Sequence, residues 1–271
     1  LTLRTEKLLG DKTRSITYYA GNPGEEQAKT TFNYNFNGDT IKSYTIFDYG
    51  TQDELLKSVS YRVMSVITAP GILTAPRGGD FKKSVTFYEG NPGEEKARWT
   101  YNYNFNGDTL KTVTHFNYDT SDRLTDSVTY RIKLKADVTA TVAPDGKTPV
   151  TKELLYQIVD ASGNLMVLPT YLAADKADQG FTLGTGAKLM AFTLTLRSKS
   201  FYEGPEGEER VKTTFNYNFD GDKVKSYTIF DYNAATDALD RSTTYRANTP
   251  AMDLTLRTEK LLGDKTRSIT Y

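Results

Sequence analysis

Cysteine is absent from the 271 residues, which excludes disulfides and thiolate metal sites and leaves stability to packing and hydrogen bonding. A single His, a single Trp and four Met offer little from which to assemble imidazole chemistry. Excess charge is missing as well, because 34 Lys plus Arg balance 34 Asp plus Glu. Without a basic field, nucleic acid is not an expected partner. No run approaches the roughly 20 apolar residues of a helical membrane span. Phosphate loops, G-x-S-x-G elbows, H-E-x-x-H and C-x-x-C are likewise missing. Residue 1 is Leu, with no initiator Met or signal-peptide pattern, so a longer natural chain is expected.

What the chain has in quantity is 19 Tyr and 13 Phe, a composition suited to strands with half-buried faces. These residues are ordered by a repeat. The octapeptide FNYNFNGD (Phe32 to Asp39) returns as YNYNFNGD (Tyr101 to Asp108) and as FNYNFDGD (Phe215 to Asp222). The first two copies are 69 positions apart and the next two 114. In addition, LTLRTEKLLGDKTRSITY at Leu1 to Tyr18 reappears letter for letter at Leu254 to Tyr271. Eighteen identities in a row define a period of 253 residues that holds three units and one insertion of about 45 residues. The expected organisation is unit 1 over 1–70, unit 2 over 71–131, an inserted β-module over 132–192, unit 3 over 193–253, and the opening of the next period over 254–271.

Within the octapeptide, Phe32, Tyr34 and Phe36 alternate with Asn33 and Asn35, which at a period of two places three rings on one face of a strand. Asn37, Gly38 and Asp39 then supply a tight hairpin turn. Each unit reads as four antiparallel strands, in unit 1 Ser15 to Gly21, a second ending at the Asn37 turn, Thr40 to Tyr49, and Leu55 to Arg62. An isolated meander of four strands is marginal, so stacking on neighbours is expected to complete the core. The connectors Val63 to Lys83 and Ala247 to Arg267 read as crossovers with an extra strand such as Leu254 to Leu262. Strands are expected in the insertion at Val138 to Val142, Leu154 to Val159 and Leu165 to Leu172, with a helix over Lys152 to Val159 as the alternative. The fold class is therefore all-β: tandem four-stranded antiparallel meanders stacked into a fibre-like array, with one inserted small β-module.

Candidate chemistry is sparse. Glu25/Glu26, Glu94/Glu95 and Glu208/Glu209 resemble carboxylate pairs, but glycoside hydrolysis needs two carboxylates across a cleft, and adjacent strand residues face opposite ways. The NGD turns carry oxygens without the alternating carboxylates and closing Glu of a calcium loop. His115 stands where the other units have Ile46 and Ile229, and Trp99 replaces Thr30 and Thr213 as a possible surface contact. Asp145, Asp160, Asp175 and Asp178 in the insertion have no accompanying base or nucleophile. Neither a cofactor, a metal nor an enzymatic activity is expected. Tyr34, Tyr103 and Tyr217 recur in register and are candidates for stacking on glycans, against the alternative that they pack the sheet.

The stretch FNYNFNGDTIKSYTIFDY (Phe32 to Tyr49) resembles the tyrosine-rich YD/RHS-type repeats of bacterial surface and secreted proteins. The resemblance implies a β-rich extracellular scaffold, similar to giant tandem-repeat surface proteins and adhesins. Taken together, the repeat and the resemblance lead to an expected structural role, as one period of an extracellular or cell-surface filament whose partner is itself. Leu254, Leu256, Leu261, Ile269 and Tyr271 are the residues expected to dock one period on the next. A carbohydrate-binding adhesin array that uses aromatic strand faces is the alternative.

Overall fold

A computed structural model describes residues 11–134, 154–159, 170–171, 188–248, 260 and 263–271. All regular structure among them is β. The first repeat supplies β1 (Ser15–Ala20), β2 (Gln27–Tyr34), β3 (Ile41–Tyr49) and β4 (Leu55–Arg62). The second supplies β5 (Phe81–Glu89), β6 (Lys96–Tyr103), β7 (Leu110–Tyr118) and β8 (Leu124–Leu134). Inside the insertion are β9 (Leu154–Val159) and β10 (Thr170–Tyr171), so the helical alternative over Lys152 to Val159 fails for Leu154–Val159. The third repeat supplies β11 (Lys188–Glu203), β12 (Arg210–Tyr217), β13 (Val224–Tyr232) and β14 (Leu239–Arg246), and β15 (Lys265–Thr270) follows. Val138 to Val142 and most of Leu254 to Leu262 lie outside the described residues.

The chain divides into two compact units, Leu1–Leu110 and Lys111–Tyr271. In the first, β1 to β6 pair antiparallel in sequence order. In the second the order is β7-β8-β11-β12-β13-β14-β15, with β9 on the leading half of β11 and β10 on β9. The repeats are therefore joined edge to edge by a shared hydrogen-bond ladder. Face-to-face stacking is not how one repeat meets the next within either unit. Nor is the first connector a crossover: residues 63–80 contain no strand, and they link two neighbouring antiparallel strands.

Alternation along each strand separates two faces. On one, Tyr18, Phe32, Tyr44 and Tyr61 form a row with ring centroids 5.9, 5.9 and 5.2 Å apart. Phe201, Phe215, Tyr227 and Tyr245 repeat it in the third repeat at 6.0, 5.9 and 5.2 Å. Each such ring pair adds about 0.5–1.5 kcal/mol beyond the area it buries. The other face carries paired hydroxyls: Thr17 with Thr31 at 2.9 Å, Thr45 with Ser60 at 2.8 Å, Ser200 with Thr214 at 2.8 Å, and Thr228 with Thr244 at 2.8 Å.

Covering a row of buried rings is the task of the connector. Val63, Ile67 and Leu73 pack on the first aromatic cluster. The backbone N–H of Leu73 donates to Thr30 Oγ1 (2.9 Å), and that of Arg77 donates to the Tyr44 hydroxyl (2.9 Å). Burial pushes the Tyr44 phenol up to about 12.

Two aromatic residues differ from expectation. Because β2 ends at Tyr34, Phe36 falls in the turn and is 87% exposed instead of continuing the buried row. Trp99, read as a possible surface contact, is 5% exposed and pairs with Phe87 in the core face. The turns themselves are built as expected and then locked. Asn35 Oδ1 accepts from the N–H groups of Asp39 and Thr40, while its Nδ2 donates to Asp39 Oδ1 (2.7 Å). Asn104 and Asn218 do the same in the other repeats. Hydrogen bonds from Thr40 and Asn35 hold the Asp39 carboxyl below its usual range. Glycine is required at position 107, where φ is +73° and a Cβ would come within 2.5 Å of the Lys82 nitrogen.

Candidate functional site

The place where one repeat ends and the next begins has the same geometry each time it is described. At β4–β5, Ser58, Val59 and Ser60 face Thr86, Val85 and Ser84, with a bulge at Ser60/Tyr61. At β8–β11, Ser127, Val128 and Thr129 face Ser200, Lys199 and Ser198, with the bulge at Leu196/Ser198. At β14–β15, Ser242, Thr243 and Thr244 face Thr270, Ile269 and Ser268, with the bulge at Thr244/Tyr245. The far edge of the joining strand is equally constant. Ser15, Ile16 and Thr17 face Asn33, Phe32 and Thr31, as Ser84, Val85 and Thr86 face Asn102, Tyr101 and Thr100.

Three side-chain contacts recur across β4–β5 and β8–β11. At the turn end, Arg62 stacks on the Phe105 ring (4.4 Å) and donates to the Phe105 carbonyl. Arg131 stacks on Phe219 (5.6 Å) and donates to the carbonyls of Asn218 and Phe219. In mid-strand, the Tyr88 hydroxyl meets Ser58 Oγ and the Tyr202 hydroxyl meets Ser127 Oγ, both at 3.1 Å. At the opposite end, Glu95 accepts from the Leu55 N–H (2.8 Å) and Glu209 from the Leu124 N–H (2.9 Å). Glu95 and Glu209 thus each bridge two repeats while their other oxygens accept from the turn glycines Gly93 and Gly207. A charge-assisted bond of this kind is worth roughly twice a neutral one.

A fourth device anchors the incoming strand. Asp264, 3% exposed, accepts from the Tyr227 hydroxyl (2.9 Å) and the Asn248 N–H (2.8 Å). Asp80 takes the same place before β5, where it accepts from the Met64 N–H (2.8 Å). In the middle repeat the tyrosine is replaced by Val113 and the position equivalent to the aspartate by Leu194, so phenol and carboxylate leave together. Neither Asp80 nor Asp264, nor the arginines, were singled out by sequence reading. The signal was present in D-x-x-x-S at Asp11, Asp80 and Asp264, and in the Tyr-Arg that ends every repeat.

Of the residues expected to dock one period on the next, Ile269 and Tyr271 lie at β15, where Ile269 faces Thr243 and both side chains are exposed. Leu254, Leu256 and Leu261 fall outside the described residues, as do Asp145, Asp160, Asp175 and Asp178. Tyr34 and Tyr103 are half-buried, and Tyr217 is 7% exposed with its phenol pushed up to about 12 by burial. His115 is half-buried and faces Val128. Among the described residues, no three His, Asp or Glu converge to hold a metal ion, and no helix is long and apolar enough to cross a membrane.

No family model matches the chain, and no curated protein matches it. Its structure is similar to the crystal structure of TcdB2-TccC3-TEV, at a TM-score of 0.26 and 11% sequence identity, over 89% of this chain. The chain spans 13% of the length of that one. A likeness of this size decides nothing about function.

The polar face of the second unit contains an open groove of about 540 Å³. Arg131, Arg197, Lys225 and Arg267 line it together with Asn216, Thr228 and Thr244, and no carboxylate is in its wall. Four cations beside neutral hydrogen-bonding groups suit an anionic ligand.

Proposed function

We propose that this chain is a structural period of an extracellular fibre, built by continuing one β-ladder from repeat to repeat. One observation carries the reading. The identical segments at Leu1 to Tyr18 and Leu254 to Tyr271 each use a different edge, β1 pairing with β2 and β15 with β14, in the registers that β5 uses on both edges at once. Superposing the two copies joins the end of one period to the start of another without a change of register. Exposed edges invite pairing, and here each open edge fits the other. The recurrent contacts follow the logic of a one-dimensional array, in which stability is a sum of repeats and nearest-neighbour interfaces. Polypeptides of one, two and four periods test the reading by electron microscopy. The expected result is particles whose length grows in equal steps. Separate beads at variable spacing would overturn it.

A second reading, an array that binds acidic polysaccharide, is favoured by the cationic groove and not by the tyrosine row. It is tested by affinity electrophoresis in alginate and in neutral dextran. Retardation by alginate alone, lost on R197E with R267E, supports it.

A further inference from the structure

Resting on that reading, we infer that successive periods are clamped by three named contacts: Arg246 on the Phe36 ring and carbonyl, Ser242 with the Tyr19 hydroxyl, and Leu239 N–H on the Glu26 carboxylate. The partner surface is that of a second copy or period whose Leu1 to Tyr18 occupies the place held here by Leu254 to Tyr271.

The inference comes from equivalence. Arg246, Ser242 and Leu239 occupy the positions in β14 that Arg62, Ser58 and Leu55 occupy in β4, and Arg131, Ser127 and Leu124 in β8. Phe36, Tyr19 and Glu26 occupy the positions of Phe105, Tyr88 and Glu95. Both internal sets are engaged, as the distances above show. The remaining six residues stand at opposite ends of the chain, and their exposure sets them apart. Phe36 is 87% exposed, against 61% for Phe105 and 65% for Phe219, which each lie under an arginine. The cation over Phe36 is Lys12 (4.5 Å), which comes from its own repeat. Its position is the one held by Phe81 beside Phe105, so the arginine's place over the ring is a separate one. Tyr19 is 59% exposed where Tyr88 and Tyr202 are half-buried. Leu239 is 55% exposed where Leu55 and Leu124 are half-buried. Glu26 and Arg246 are exposed, whereas Glu95, Glu209, Arg62 and Arg131 are half-buried. A planar guanidinium stacks on an aromatic face and donates in a fixed fork, so these contacts fix register as well as adding attraction.

The test uses a polypeptide of two consecutive periods. Because the chain has no native cysteine, pairs can be introduced without background. The clamp probe is Arg246→Cys in the first period with Phe36→Cys in the second, treated with a short bismaleimide. Its positive control is Arg62→Cys with Phe105→Cys in a single period. A strand probe, Thr244→Cys in the first period with Asn33→Cys in the second, spans the joining strand at two strand spacings, roughly 10 Å. We expect the clamp probe to cross-link at the rate of its control and the strand probe to cross-link as well. Cross-linking of the strand probe without the clamp probe would refute the clamp and leave the continuous ladder standing. Failure of both, with the control intact, would overturn the ladder and the clamp with it.

Discussion

Asp264→Ala separates an anchored strand from one that merely lies in register. In the folded chain the carboxylate serves a buried phenol and a backbone N–H at 2.9 and 2.8 Å. Alanine leaves both donors without that acceptor; the N–H of exposed Asn248 can turn to water, whereas losing the acceptor of the buried phenol costs about 1–3 kcal/mol. That cost of about 1–3 kcal/mol falls mainly on β15, whose described pairing is to β14 alone. With a factor of ten for about 1.4 kcal/mol, amide exchange in β15 should accelerate by about fivefold or more while β12 and β13 stay protected. Hydrogen exchange read by mass spectrometry is the assay, using peptides that begin before Leu254 or run past Tyr18, because the two copies are otherwise indistinguishable. The sequence supplies its own control: Asp11→Ala makes the same change in the same eighteen residues, where the aspartate is exposed. Adding Tyr227→Phe to Asp264→Ala should recover part of the loss, since the phenol then no longer demands a partner, as at Val113 with Leu194. Unchanged exchange in β15, or an equal effect from Asp11→Ala, would refute the anchoring role.

The remaining predictions concern the core, the turns and alkali. Trp99→Thr, which restores the residue of the other two repeats, removes a ring that is 5% exposed and should cost up to about 3–5 kcal/mol, the range for truncating a buried large aromatic; urea unfolding of the first unit followed by circular dichroism measures it. Being the single tryptophan and buried, Trp99 should also emit to the blue and resist acrylamide until that unit unfolds. Gly107→Ala should cost at least about 1 kcal/mol, because L residues at positive φ pay roughly that much even before a clash, and here the new Cβ meets backbone at 2.5 Å. Tyr44 and Tyr217 are raised by burial to about 12 from 10.0, so the unfolded chain releases their protons first. Their contribution is complete below pH 10 and is lost as pH rises toward 12, at no more than about 1.4 kcal/mol per pH unit for each tyrosine. Phenolate absorbance rising in step with loss of structure, instead of before it, is the expected outcome.

The strands were legible because their signal is local. Leu55 to Arg62 matches β4 residue for residue, and the Asn37 turn falls where the alternating pattern stops. Phe36 was misjudged by extending that pattern one step too far, into the stretch where Asn35 folds its amide back on Asp39 and Thr40. Trp99 was misjudged because its two counterparts are threonines, which are themselves fully buried on the core face. How repeats meet was not legible: hydrophobic periodicity says which face is buried but not whether neighbours cover it or extend it. The junction residues carried a signal only in combination, since Glu95 and Arg62 look like ordinary solvated charges until the registers bring them to another repeat. Glu95 also serves its own turn, where its second oxygen accepts from the Gly93 N–H.

On the proposed reading, the return of Leu1 to Tyr18 as Leu254 to Tyr271 follows from the strand pairing. Within each unit the described strands apart from β9 and β10 pair with their neighbours in repeat order, so a joining strand uses one edge toward the preceding repeat and the other toward its own. Closing the ladder into a barrel would remove those edges, and burying them under a charged or bulged strand would stop growth. The sequence instead repeats one strand at the period boundary. It presents Ser268, Ile269 and Thr270 on one side and Ser15, Ile16 and Thr17 on the other, the same hydroxyl, aliphatic and hydroxyl in the same order. In the proposed fibre, the free edge of β15 takes up β2 of the next period more readily than an unrelated strand, because the bulge, the aromatic row and the inferred Arg, Tyr and Glu contacts must all coincide. Slipping the register by one residue would turn the aromatic row to the polar face. In the proposed fibre, the junction contacts therefore select the partner.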